Sequence, residues 1–519
     1  MFDKWLKLPA HYYLHITALS LLIVGVALSN VLMSIGTIWI IANWLIELDF
    51  TAKWERFKKN KIVIAFSLLF LLMLLSLAWS DDIEYGLKDL LIKLPLITIP
   101  LVMGTRKKLE QKVYIFLLYL FITSLTFTTL YNYIRFDINE LADKRSLSFF
   151  ISHIRLGGLI CLAIFLVGHE IIKNNINKLF IPVLMWLLYY LYFSQTITAY
   201  LLILILSFIT LVYLLKSKLA KFSCLLGILT LIVFTKSFLT TIINENIAIN
   251  APKTVELGLK TASDHFYFHD LKATKRENGY IVWVNISEGE SRKEWNKRSK
   301  IKFDSTDNKG NNIMGTLFRY LTSKNLRKDS VGLSKLNEND ILNIENGQSN
   351  YFNNSGFNGK VTKLTKQYLA YSKNENPNGH SIMQRIEHLK TGLEIVKSDW
   401  LVGVGIGDID IAFQNQYVKE NSILEPQFRL RTHNQFITLW ISLGIVGFLL
   451  ILYILFKPFF TQHITFTTVI ISITLLFSFL TQDMIETQAG VTIFALFYSL
   501  GSFLNTNNQH QDPNIKNHY

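Results

Sequence analysis

Long unbroken apolar runs organise this chain, rather than an alternation with a period of 2 or 3.6. The stretch Lys61–Ser80 reads KIVIAFSLLFLLMLLSLAWS. A run of about 18 apolar residues crosses ~30 Å of hydrocarbon as a helix. Backbone in lipid must bond to itself, so such a run reads as helix despite its Ile, Val and Phe. Twelve segments of this kind are predicted, near 12–29, 31–49, 61–80, 89–104, 112–133, 153–172, 178–194, 198–215, 222–242, 434–456, 464–481 and 487–504. Their ends are placed to about three residues. The fourth and seventh are short and contain Pro95, Pro100 and Pro182. Membrane helices accept proline where neighbours re-satisfy the freed carbonyl. The first run continues straight into a second, so it reads as a span rather than as a cleavable signal peptide. The predicted fold class is an all-α polytopic membrane protein.

Between the ninth and tenth segments the pattern changes. Residues 1–242 hold nine predicted spans, 243–380 a polar insertion, 381–433 a second extramembrane stretch, 434–504 three spans, and 505–519 a polar tail. In the insertion, Gly279–Ser287 (GYIVWVNIS) has strand-like alternation and Met314–Ser330 is partly helical in pattern. Asn350–Lys360 is turn-rich. Its thin apolar content predicts a lobe that is mixed or partly mobile. From Ser381 the apolar residues Ile382, Ile386, Leu389, Leu393 and Val396 recur at helical spacing, which predicts an amphipathic helix. It leads into Gly403, Gly405 and Gly407, a turn that other residues would resist.

Composition supports the membrane reading. Half of the 519 residues are hydrophobic and 17% are charged, against roughly 25% in soluble domains. Mean hydropathy is +0.29. Lys and Arg alternate between loops: Lys53, Arg56, Lys58, Lys59 and Lys61, then Arg106, Lys107, Lys108 and Lys112, then Lys173 and Lys178, then Lys216, Lys218 and Lys221, then Lys457. The opposite loops, such as Ser80–Lys88 (SDDIEYGLK) and Gln482–Glu486 (QDMIE), are poor in them. Basic loops stay inside. This puts the N-terminus and the tail in the cytoplasm and 243–433 outside, in the periplasm of a bacterium with two membranes. The net charge of +14 reflects this bias and a basic insertion; no motif for nucleic acid is present. Cys161 and Cys224 both fall in apolar helices and read as packing residues. No metal-ligand spacing and no phosphate-binding glycine loop is found, so no cofactor or metal is expected.

Ionisable groups at a membrane boundary are the candidates for chemistry. His433 lies at the outer mouth of the tenth span beside Asn434, Gln435, Arg429 and Arg431. It either caps the helix or acts as a general base. Arg385 on the amphipathic helix either pairs with Glu387 or Glu394, or grips a phosphate in bidentate fashion. Arg155, in Ser152–Gly157 (SHIRLG), and Lys93 either snorkel to the outer interface or line an anionic pocket.

Three elements in order resemble the bacterial O-antigen ligase and polymerase superfamily. They are the many-helix first half, then Arg385–Asp408 (RIEHLKTGLEIVKSDWLVGVGIGD), then His433–Leu455 (HNQFITLWISLGIVGFLLILYIL) with Gly444 and Gly447. The resemblance implies a GT-C-like inner-membrane glycosyltransferase. It would take a glycan from undecaprenyl diphosphate and pass it to a lipid A-core sugar at the periplasmic face, with inversion and without metal or ATP. It casts His433 as the base and Arg385, with Arg155 and Lys93, as ligands of the donor diphosphate. Arg431, Asn434, Gln435 and Gln195 would serve the acceptor or support these groups. Many members carry a cation where this chain has Gln195, in Ser194–Thr198 (SQTIT). A polymerase joining two lipid-linked units, or a protein O-oligosaccharyltransferase, would share donor and fold. A transporter is the alternative of a different class. It is disfavoured because the charged groups crowd at the outer mouth rather than mid-membrane.

Overall fold

The computed structural model describes residues 9–135, 147–215, 217, 227, 230, 236–237, 240–241, 243–245, 247–351, 356–372, 376–460 and 464–504. Most of the expected ninth span, 222–242, and the whole 505–519 tail lie outside the described residues. The chain divides into two compact units. One comprises Met1–Lys221 with Asn378–Tyr519, the other Phe222–Pro377.

The first unit opens with α1 (Pro9–Leu28), α2 (Asn30–Ile46), α3 (Phe50–Lys59), α4 (Lys61–Ser76), α5 (Ile83–Ile92), α6 (Leu94–Thr105), α7 (Gln111–Ile134), α8 (His153–Ile172), α9 (Ile181–Ser194) and α10 (Ile197–Leu214). Among the described residues six helices are long and apolar enough to cross a membrane, and each coincides with one predicted segment. A seventh arises if α2 and α3, bent by 115°, form one span. The other apolar helices among the described residues are shorter. The predicted fourth span is broken. Helix α5 ends at Ile92, Lys93 interrupts, and α6 restarts with Pro95 in its first turn. Proline supplies no N–H and suits a helix start, so the sequence places the break.

The second unit has its own apolar core. Its elements are β1 (Arg276–Glu277), β2 (Tyr280–Ile281), α11 (Glu288–Arg298), α12 (Ile313–Ser323), α13 (Ser330–Ser334), α14 (Glu338–Glu345) and α15 (Gly356–Ser372). The two strands pair antiparallel. The nine-residue strand pattern at 279–287 yields two ladder residues plus an isolated pairing of Phe268 with Ile286. Val282, Trp295, Phe303, Leu317, Phe318 and Tyr320 are buried together, more than the thin apolar content predicted. Asn337 and Asp340 close a capping box on α14.

The first unit resumes with α16 (Ser381–Asp399), α17 (Ile409–Lys419), α18 (Gln435–Phe456), α19 (Phe466–Thr481) and α20 (Gln488–Phe503). Leu22, Leu69, Ile99, Phe121, Leu475 and Phe494 join its spans in one core. Of the apolar stripe predicted for α16, only Val396 is fully buried in the described structure. Met383, His388, Thr391, Gly392, Ile395 and Val396 are buried, while Ile382, Leu389 and Leu393 are exposed. Small residues decide this: a Cβ on Gly392 would lie 2.3 Å from Thr432 Cγ2, so only glycine permits that approach.

Helix α18 breaks at Gly444, with φ 62° and ψ −163°. The glycine turn 403–407 repairs the break. Val404 and Gly405 N–H donate to the carbonyls of Ile441 and Ser442, and Ile445 N–H donates to Leu401 O. The far side of the turn meets the α4–α5 loop, where Asp408 accepts from the N–H groups of Asp81 and Asp82. The turn therefore ties the end of α4 and the start of α5 to the break in α18.

Candidate active site

A cavity of about 490 Å³ lies at this end of the first unit. Its walls include Tyr85, Arg155, Arg385, Arg431, His433, Asp483 and Glu486. The structure thus gathers Arg155, Arg385, Arg431 and His433 in one place from α8, α16 and the approach to α18. Lys93 and Gln195 are not among the lining residues. Gln195 terminates α9 in a left-handed conformation.

His433 sits just before α18. Asn434 is the helix N-cap, its side chain accepting from the Phe436 and Ile437 N–H groups. His433 has φ 53°, a left-handed backbone that costs a non-glycine residue roughly 1–3 kcal/mol. Asp483 holds it there, accepting the His433 backbone N–H at 3.0 Å and the Thr438 hydroxyl at 2.7 Å. The same carboxylate lies 3.8 Å from His433 Nδ1. That is too far for a hydrogen bond but close enough for strong attraction to an imidazolium.

Burial, with Arg385 and His388 nearby, pulls His433 down to about 4. Burial pushes Asp483 up to about 6, against the Thr438 hydrogen bond. Near neutrality the imidazole is therefore a neutral base facing an ionised carboxylate. His388 lies beside it, with ring centroids 5.5 Å apart. Its Nε2 donates to Phe428 O at 2.9 Å. Its buried Nδ1 has no partner among the described residues. Burial lowers this histidine too, so both rings are uncharged.

Arg385 and Arg155 supply positive charge on the cavity wall. The Arg155 Nε is buried and has no hydrogen-bond partner among the described residues, an unusual state for a guanidinium and one that an anionic ligand would relieve. On the same helix Glu387 pairs with Lys390 and Glu394 with Lys397.

Arg431 is held differently. It binds Asp410 at 2.7 Å, Glu486 at 2.9 Å and the Tyr85 hydroxyl. Glu486 also takes Lys93 at 2.9 Å and Gln435 Nε2 at 2.9 Å. Burial opposes ionisation of Glu486, but Lys93 and Arg431 outweigh it and hold the carboxyl low. Lys93 is 1% exposed and also pairs with Asp89 at 2.5 Å. Its ammonium is spent between two carboxylates behind the cavity wall. Gln435 is buried and fixes the 482–487 loop, accepting from Ile485 N–H at 2.7 Å. These residues brace the site.

Asp483, Glu486, Tyr85 and His388 were not singled out from sequence. The signal for the first two was there: QDMIE places two carboxylates three apart between apolar spans. It reads first as an outer loop poor in basic residues. Among the described residues no group of three or more His, Cys, Asp or Glu side chains is disposed to hold a metal.

Residues 349–452 match the family model described as O-Antigen ligase. The matched stretch carries Arg385, His388, the glycine turn, Arg431 and His433, whereas Arg155, Asp483 and Glu486 come from outside it. No curated protein matches the chain. The chain is mostly helical, with several helices able to span a membrane, and its segment 349–452, which is similar to the O-antigen ligase family, supplies Arg385, Arg431 and His433 to the polar cavity.

Proposed function

We propose that the chain transfers a glycan from undecaprenyl diphosphate to a hydroxyl of a lipid A-core sugar, at the periplasmic face of the bacterial inner membrane. The observation that carries this reading is one cavity holding a neutral imidazole, His433, together with Arg385 and Arg155. His433 Nδ1 faces Asp483, which suits Nδ1–H and leaves the Nε2 lone pair to take the acceptor proton. The acceptor oxygen forms a bond to the anomeric carbon as the bond from that carbon to the diphosphate breaks. The bonding pair leaves on the diphosphate oxygen, and approach from the opposite face inverts the centre. Arg385 and Arg155 stabilise the charge that develops on the leaving group. The new imidazolium is stabilised by Asp483. The sugar–diphosphate bond supplies the free energy, so the scheme needs no ATP.

The test is complementation of a strain lacking its own ligase, with wild type or His433→Ala at matched membrane levels. Lipopolysaccharide ladders and carrier-linked glycan length are read in parallel. Wild type is expected to cap the lipid A core and the variant to leave it bare. Full capping by the variant would sink the mechanism. Longer carrier-linked chains with wild type would identify a polymerase, and glycan on protein an oligosaccharyltransferase.

A further inference from the structure

Residues 222–348 of the second unit lie outside the family-matched segment and hold a cavity of about 380 Å³. That size falls within the roughly 300–1,000 Å³ of small-molecule sites. Its walls include Glu256, Tyr280, Asn285, Asn325, Arg327 and Lys328. The lining is rich in amides and charges, which disfavours an apolar occupant.

Lys328 is the anomaly. It is 3% exposed, and its ammonium donates to Val284 O at 3.1 Å. Among the described residues no carboxylate lies within 4.0 Å of it. Two less buried cations of the same unit do have acids: Arg319 pairs with Glu277 at 2.6 Å and Lys324 with Asp340 at 2.6 Å. A buried ammonium with one carbonyl for company is costly, and a bound anion would remove the cost. Burial alone draws Lys328 down to about 7.

Its neighbour Arg327 is exposed at the same cavity, with its guanidinium 5.7 Å from the Tyr267 ring centroid. Two adjacent cations face one carboxylate, Glu256, among the lining residues. Asn285 fixes that wall, donating to Glu256 O at 2.9 Å and accepting from Gly258 N–H at 2.8 Å.

We propose that this cavity binds a sugar residue bearing a carboxylate or a phosphate, with Lys328 and Arg327 holding the anion and the amide-rich wall meeting the hydroxyls. The choice of a sugar rests on the glycosyl-transfer reading; the choice of an anion does not.

The experiment is binding by calorimetry to the full chain in detergent. The probes are tetragalacturonate, mannose 6-phosphate, neutral cellotetraose and inorganic phosphate. At least one acidic sugar is expected to bind ten times tighter than cellotetraose, and which one does so names the anion. Arg327→Ala, a surface change that leaves the core intact, is expected to weaken it at least tenfold. Lys328→Met, which swaps a buried charge for an apolar chain of similar length, should do the same. Arg385→Ala should change nothing at this cavity. Equal affinity for cellotetraose, or indifference to Arg327→Ala, would overturn the proposal. Inorganic phosphate binding as tightly as the acidic sugars would reduce it to a bare anion site and overturn the saccharide assignment. If binding is absent while glycan transfer by wild type persists, this cavity is misread and the transfer reading stands. If binding is present but His433→Ala transfers fully, the transfer mechanism is what fails.

Discussion

His433 is held in a left-handed backbone by the very carboxylate that faces its ring, so Asp483 joins positioning to electrostatics. Replacing Asp483 by Asn keeps an acceptor for the backbone N–H and removes the charge. Initial transfer rates in membranes are expected to fall about 10- to 100-fold, equivalent to ~1.4–2.8 kcal/mol of transition-state stabilisation. The pH profile separates this from a structural role. His433 stays neutral down to about 4, whereas Asp483 takes up a proton near 6. Activity should therefore drop as pH falls through 6, and the Asp483→Asn enzyme should lose that inflection. Stability runs the other way. The folded carboxyl binds its proton more tightly than the unfolded one, whose ordinary value is 3.8. The contribution of this group is then complete below 3.8 and lost as pH rises through about 6. At pH 7 the charge is carried at a cost, so the variant's melting temperature should not decrease. A lower melting temperature that tracks the lost activity would instead make Asp483 a structural residue.

Helix α18 and the 403–407 turn act as one element. At Gly444 the backbone lies in a region open essentially to glycine, and a Cβ there would sit 2.2 Å from Leu401 O. Gly444→Ala is expected to cost roughly 1–3 kcal/mol from the backbone alone, seen as a lower melting temperature and loss of transfer. Gly158→Ala in α8, where an added Cβ meets nothing within 4 Å, is the control that should be tolerated. Lys93 belongs to the bracing network of the neighbouring elements. Lys93→Met leaves Asp89 and Glu486 buried without their shared cation, a change on the order of 3–5 kcal/mol. It should lower the protein's thermal stability, rather than only its donor affinity; a normally stable variant with weakened donor binding would return Lys93 to the cavity. The glycine pattern was legible in sequence, but its meaning was not. GVGIG announces a turn, whereas the backbone that turn repairs lies about forty residues on, a distance that local pattern does not span. The face that α16 packs inward was not legible for a related reason. Its exposed Ile382, Leu389 and Leu393 carry as strong a helical period as the face that packs.

On the scale of the whole molecule, His433 could be picked out from sequence as an ionisable residue next to an apolar span, and Arg385 as a cation on an amphipathic helix. Arg155 was a candidate at the start of another span, Asp483 lies in a loop between two further helices, and only folding brings them to the same cavity. The bundle also has two chemically distinct ends. At one lie the cavity and the acidic loops at 81–82 and 483–486. At the other, Lys53 and Arg106 both engage Glu47, and Arg56 donates to Thr105 O. Helices α4 and α6 run between them: Asn60 at the start of α4 donates to Gly104 O near the end of α6. With basic residues held inside, the cavity end is expected to face outward, and this can be measured directly. Single cysteines at Lys88 and at Lys58, both exposed at the side chain, are placed in a background lacking Cys161 and Cys224. Intact cells are treated with a membrane-impermeant maleimide. Lys88→Cys should label at once, and Lys58→Cys only after permeabilisation. The reverse pattern would put the cavity on the cytoplasmic side. There an acceptor delivered to the outer leaflet could not reach His433, and the proposed transfer would fail on topology whatever the chemistry of the site.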